Sequence, residues 1–331
     1  GGGLPGFRPT FMRSALVSAH PPGDVPYTDF NGVSLGLFPA PSFEGDTPDQ
    51  HSSAALRITP FELNDSPGPG TVPDLGIHLH LHFPDQLQEM THCLGQVPFP
   101  FHLYVSITDP AGVAQARTHL QKRLHLATVD ARLVENRGRD LAPLVTEFAR
   151  DLAGHEFIGH LHTKRSAHSV VKSDWRRQLL ANLMGSPATV QTVFEWFAAD
   201  PALGMVFPVY HHSLRKQISW GNNFSACEQL AAQLNLSIQP GRLVLFPAGS
   251  MFWARSKALE KLLAAGLTTD TFPEETGQLD GTPAHALERL FGTLVVDQGA
   301  SVLQICAERP YGHRCFDPPV RSRLRRWLQR S

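Results

Sequence analysis

The sequence predicts an α/β fold, a mixed and mostly parallel sheet with flanking helices. Two observations carry this expectation. From Asp74 onward, apolar runs of strand length alternate with segments of helical period, the pattern of βαβ units. The chain of 331 residues is also 42% hydrophobic, enough to bury a substantial core.

The elements follow in order. Leu75 to Phe83 alternates with period 2 and stops at Pro84, and Asp85 to Leu94 has helical spacing behind an acidic residue able to cap it. Phe101 to Thr108 reads as a strand, Val113 to Leu124 as a helix, Ala127 to Glu135 as a strand, and Leu141 to Ala153 as a helix entered through Arg139-Asp140. Phe157 to His162 is the fourth strand. Trp175 to Asp200 is helical with a break at Gly185-Ser186-Pro187, and Gly204 to Pro208 is a buried strand. Cys227 to Leu234 is expected as a helix, Leu243 to Phe246 as a short strand, Ser256 to Ala265 and Thr282 to Phe291 as helices, and Thr293 to Gln298 as a late strand.

Composition excludes several classes. Lys+Arg 29 against Asp+Glu 30 leaves a net charge of −1, so no global field exists to hold a nucleic acid. No stretch approaches the roughly 18 apolar residues of a spanning helix, and the first residues lack the basic and apolar blocks of a signal peptide. A cytoplasmic protein is the default. Cys93, Cys227, Cys306 and Cys315 form no CxxC pair and read as reduced thiols. Residues 1–73 are rich in Pro and Gly and read as a linker, 74–310 as the main domain, and 311–331 as a basic tail. The Gly-Gly-Gly start suggests a domain cut from a larger multi-domain chain. The tail's Arg residues around Trp327 and Leu328 suit either solvent or peripheral contact with the inner face of the cell membrane.

Four constellations could carry chemistry. In a parallel sheet, ligands bind at the carboxyl ends of the strands, so residues there weigh most. His78, His80 and His82 fall on one face of a strand, which suits metal ligation, a polar cleft lining or a hydrogen-bonded surface. Arg137, Arg139 and Asp140 sit where a strand turns through Gly138 into a helix, an arrangement for anions. His160, His162 and Lys164 end the fourth strand, where cations could neutralise a diphosphate. The last runs from Gly249 and Trp253 through Glu275 and Asp280 to His285, Glu288 and Arg289, which share one helix face. Its loop acids are candidates for a general base towards a hydroxyl, and Glu288 with Arg289 reads equally as an ordinary surface pair.

Together these stretches resemble the rhamnan synthesis F proteins, glycosyltransferase-like proteins of bacterial cell-surface polysaccharide assembly. The resemblance rests on His80-Leu81-His82-Phe83-Pro84-Asp85, Glu135-Asn136-Arg137-Gly138-Arg139-Asp140, His160-Leu161-His162-Thr163-Lys164, Ala248-Gly249-Ser250-Met251-Phe252-Trp253 and Asp280-Gly281-Thr282 through Arg289. It implies a GT-A-like, Rossmann-type sheet and transfer of a sugar, rhamnose or a related deoxysugar, from a nucleotide donor such as dTDP-rhamnose to a glycan or lipid-linked glycan. Asp29 to Phe43 also looks like the connecting modules between catalytic domains of large polysaccharide proteins.

In the GT-A plan a DxD motif ends the fourth strand and holds a divalent ion. Here His160-Leu161-His162-Thr163-Lys164 stands in that place, so Lys164 with Arg137 or Arg139 is expected to supply the charge, with a metal left open. Asp140 and His162 complete the expected diphosphate set, and His80, His82, His160, Gly249 and Trp253 the cleft. The same comparison puts the general base at Asp280, then Glu275, then His285. A non-catalytic sugar- or nucleotide-binding module and a His-rich metal hydrolase are the competing readings.

Overall fold

The computed structural model describes residues 71–164, 170–214, 217–240, 244–275, 277 and 280–305. It also describes four short strands earlier in the chain, Phe11–Met12 paired with Pro60–Phe61 and Val25–Thr28 paired with Ser34–Phe38. The remainder of the expected linker and the basic tail lie outside the described residues.

Seven strands form the main sheet. They are β1 (Leu75–Leu81), β2 (Phe101–Ile107), β3 (Ala127–Leu133), β4 (Phe157–His162), β5 (Leu203–Pro208), β6 (Phe252–Arg255) and β7 (Ser301–Ile305). Their order is β7-β5-β6-β4-β1-β2-β3, and β6 alone runs antiparallel, between β4 and β5. The expected mixed, mostly parallel sheet is therefore present. Strands β1, β4 and β5 are buried along their whole length, as central strands covered on both faces must be.

Helices α1 (Leu87–Leu94), α2 (Gly112–Arg123), α5 (Val170–Met184), α6 (Pro187–Ala199), α7 (Phe224–Gln233) and α9 (Pro283–Asp297) cover the faces. One core layer joins β1, β2 and Trp253 to α5 and α6; the other packs Phe207, Phe252 and Phe272 against α7 and α9. Ser186 caps α6 through the Thr189 N–H, with Pro187 in the first turn, which explains the break at Gly185-Ser186. Among the described residues no helix is long and apolar enough to cross a membrane.

Four elements depart from expectation. Leu141 to Ala153 is two short helices, α3 (Leu141–Val145) and α4 (Ala149–Ala153); at the junction the Pro143 carbonyl accepts from both the Glu147 and Phe148 N–H groups, and the Thr146 hydroxyl bonds the Ala142 carbonyl beside its own N–H. Thr293 to Gln298 is no strand: α9 runs through Asp297, and the strand follows at β7. Leu287, Leu290, Phe291 and Leu294 are fully buried at helical spacing, which outweighs the β-branched Thr293, Val295 and Val296. Residues 244–246 are likewise not a strand, and the strand here is β6, just beyond a turn at Gly249 (φ 92°) and Ser250 (φ 58°). Further on, a one-turn helix α8 (Glu260–Leu263) follows a 3-10 turn where a single helix was expected.

Candidate functional site

The site is assembled at the carboxyl ends of β1 and β4. Parallel pairing sets His78 opposite His160 and His80 opposite His162, and all four rings are buried. The His78 and His160 rings stack with centroids 5.0 Å apart and their Nδ1 atoms 3.1 Å apart. Ser106 of β2 lies between His78 Nε2 at 2.9 Å and His80 Nδ1 at 2.8 Å. Burial holds the His78 ring well below the usual imidazole range and lowers His80 to about 3.

The loop after β3 brings acid and base together. Gly138 and Arg139 are successive left-handed residues, φ 58° and 56°, and a non-glycine residue held there costs on the order of 1–3 kcal/mol. That turn delivers Asp140 to the start of α3, where Oδ2 accepts from His160 Nε2 at 3.2 Å and lies 3.9 Å from His162 Nε2. Burial alone would push the Asp140 carboxyl up, but His162 and the hydrogen bond from His160 outweigh it and hold the group well below the usual carboxylate range. The Arg139 guanidinium donates to His285 Nε2 at 2.9 Å and to Glu275 Oε2 at 3.3 Å.

Helix α9 supplies the opposite wall. Thr282 caps it by accepting from the His285 N–H, and its hydroxyl meets His285 Nδ1 at 2.8 Å. Both ring nitrogens of His285 are thus engaged, and burial with the adjacent Arg139 lowers it to about 4. Glu288 Oε1 accepts from the Gly249 N–H at 2.7 Å, while the Gly249 carbonyl accepts from His162 Nε2 at 2.8 Å. Burial raises the Glu288 carboxyl. Arg289 Nη2 stands 3.6 Å from Asp280 Oδ1. Lys164 Nζ lies 4.0 Å over the Trp175 ring.

These walls enclose a cavity of about 710 Å³, lined among others by Arg139, Asp140, Lys164, Asp280, His285 and Glu288. Of the expected site residues, Arg139, Asp140, Lys164, Asp280 and His285 therefore share one space. His162 stands behind it on the Gly249 carbonyl, and Glu275 reaches it through Arg139. Arg137 faces Glu135, Asp270 and Glu274 in outer ion pairs instead. Trp253 is core: its ring packs on Phe194 and its N–H donates to the Leu183 carbonyl. His80 and His160 lie within the sheet, and His82 is held by Thr108 at 2.9 Å.

Trp175 escaped the sequence reading, and Glu288, which reads there equally as an ordinary surface pair with Arg289, lines the cavity. Trp175 sits on a helix that its sequence presents as ordinary, and only the fold brings it under Lys164. Glu288 shares a helical face with His285, but nothing in the spacing announces the Gly249 N–H that it accepts from. A divalent ion fits this set poorly. Among the described residues no group of three or more His, Cys, Asp and Glu is arranged to hold one, and the buried imidazoles are engaged with each other, Ser106, Asp140 and Gly249.

A family model described as rhamnan synthesis protein F matches residues 70–300, which span the whole sheet except β7. The chain belongs to the rhamnan synthesis protein F family. The family match takes in every wall of the cavity. The uncharacterised protein WxcX from two strains of Xanthomonas campestris pv. campestris is 35% identical over 234 residues, which is 70% of this chain. The chain spans 33% of the length of those relatives. Among solved structures, S. aureus TarS 1-349 in complex with UDP-GlcNAc aligns over 75% of this chain and 61% of that one, at 12% identity and a TM-score of 0.39. That distant likeness is no guide to chemistry.

Proposed function

We propose that this rhamnan synthesis F domain is a glycosyltransferase, moving a sugar from a nucleoside-diphosphate donor to a hydroxyl of a growing cell-surface glycan. The observation that carries the reading is the cavity at the strand ends, which Lys164 and Arg139 line together with the carboxylates of Asp280 and Glu288. Cations meet the diphosphate and the charge that develops as it leaves. A carboxylate at the mouth takes the acceptor's proton.

In this account Asp280 is the base. It lines the cavity yet keeps about a third of its side chain exposed, so an incoming acceptor can reach it. Glu288 is tied to the Gly249 N–H and His285 to Arg139 and Thr282, which suits them to shaping the pocket. Asp280 removes the hydroxyl proton, the oxygen attacks the anomeric carbon, and the bond from that carbon to the diphosphate breaks, its electron pair leaving with the nucleotide. The family supports rhamnose or a related deoxysugar as the group moved, with dTDP-rhamnose the first donor to try. A glycan or lipid-linked glycan is the acceptor, met at the inner face of the cell membrane as part of a longer chain.

The test is binding of a panel of nucleotide sugars by ligand-observed NMR, with and without chelator, followed by turnover. Selective binding that survives chelation and is lost in Lys164→Ala supports the reading. Asp280→Asn is expected to keep donor affinity and lose transfer. Absence of binding to every donor would overturn it, and binding with neither transfer nor slow donor hydrolysis would leave a non-catalytic sugar-binding module.

A further inference from the structure

The buried polar residues behind the cavity form a continuous line across three strands. Ser106 of β2, His78 and His80 of β1 and His160 of β4 are each at most 4% exposed, and the line ends on Asp140 in the cavity wall. Four contacts connect it: His80 Nδ1 to Ser106 Oγ at 2.8 Å, Ser106 Oγ to His78 Nε2 at 2.9 Å, His78 Nδ1 to His160 Nδ1 at 3.1 Å, and His160 Nε2 to Asp140 Oδ2 at 3.2 Å. Each contact needs one proton.

The chemistry of the ends fixes the direction. An ionised carboxylate only accepts, so His160 Nε2 carries the proton of the last link. In a neutral ring His160 Nδ1 is then an acceptor, and His78 Nδ1 must donate to it. His78 Nε2 becomes an acceptor in turn, so the Ser106 hydroxyl donates there and its oxygen is left to receive the His80 Nδ1 proton. Each of the four contacts then has one donor and one acceptor with all rings neutral, which is the cheapest way to bury them. An imidazolium at His160 would reverse the three upstream links. His162 stands beside this line, with Nε2 on the Gly249 carbonyl and 3.9 Å from Asp140.

We infer that His80, Ser106, His78 and His160 are a one-way positioning chain that holds Asp140 as a fixed acceptor for a hydroxyl of the donor sugar. The second half rests on the glycosyl-transfer reading. A carboxylate repels a diphosphate, so Asp140, expected from sequence to bind that group, suits the sugar instead, while Lys164 and Arg139 meet the phosphates. Asp140 touches the sugar; the four residues behind it act through it.

Long-range proton–nitrogen NMR on the full chain reads the tautomers directly. His78 and His80 are expected as Nδ1–H forms and His160 as the Nε2–H form. A charged His160, or one protonated at Nδ1 alone, overturns the chain. Separately, Asp140→Asn is expected to weaken a nucleoside-diphosphate sugar about tenfold and leave the bare nucleoside diphosphate unchanged. Equal loss of both, or of neither, overturns the assignment of Asp140 to the sugar. Ser106→Ala should free the His80 tautomer while His160 keeps His78 as the Nδ1–H form, and give a smaller loss of the same kind; a His78 that changes tautomer, or a His80 that does not, in that variant also counts against the chain. Should the unaltered protein bind no nucleotide at all, the transfer reading and the sugar contact fall together, while the tautomers still decide the chain.

Discussion

Lys164 leaves the end of β4 with its ammonium 4.0 Å over Trp175, so its charge is held at one wall of the cavity. Removing a charged partner of a diphosphate costs about 1.5–3 kcal/mol. Lys164→Ala should therefore weaken the donor roughly ten- to a hundredfold with little change in unfolding midpoint, measured by titration calorimetry and urea denaturation side by side. An equal loss of fold would assign Lys164 to structure. Trp175→Ala removes the ring beneath the ammonium and is expected to cost less, about 0.5–1 kcal/mol of binding. Arg137, turned outward onto Glu274 and Asp270, is the control: its replacement by Ala should leave donor affinity within about twofold, as expected of exposed ion pairs.

At the scale of elements, two glycines set where the site can form. In the turn into α3, Gly138 has φ 58°, and a Cβ there would lie 2.5 Å from Phe272 and 2.6 Å from the Ala142 side chain. Gly138→Ala combines a left-handed penalty with overpacking and should cost about 2–4 kcal/mol. It should also weaken donor binding, because Arg139 and Asp140 ride on that turn. On β4, Gly159 faces the Trp253 ring at 2.5 Å from a would-be Cβ, across the antiparallel pairing of the two residues. Gly159→Ala should lower stability by about 1–3 kcal/mol in denaturant titration. A neutral result would mean that β6 can shift away from β4 at little cost.

The whole molecule carries an acid sensitivity. His80 is lowered to about 3 and His285 to about 4, mainly by burial, and the His78 and His162 rings are lowered as well. A lowered imidazole stays neutral when folded but takes a proton near its ordinary value of about 6.5 when unfolded. The unfolded chain therefore binds more protons below that pH, and stability falls as the medium is acidified. Each such histidine contributes up to about 1.4 kcal/mol per pH unit between about 6.5 and its folded value. For His285 the contribution is spent near pH 4; for His80 it continues towards pH 3. Asp140, its carboxyl held below the ordinary range, also loses stability on acidification, but only below that range and so outside this window. Urea unfolding from pH 7 to pH 4.5 should show a steep loss, and a flat profile would mean that the rings are charged in the fold.

What the sequence determined by itself is what local pattern can encode. Period-2 histidines put His78, His80, His160 and His162 on strands, Pro187 and Pro283 mark helix starts, and the blocks from His80 to Arg289 identify the family before any coordinate is known. Only the tertiary structure decided which of those side chains meet. Trp253 and Arg137 sit in the motifs yet point into the core and outward, because a motif records neighbours along the chain and not the face a strand or turn presents. β6 is legible only through its partners, since four residues carry too short a period to announce a strand. The line from His80 to Asp140 joins residues 26, 28, 82 and 20 positions apart, distances that only the pairing of β1, β2 and β4 can close.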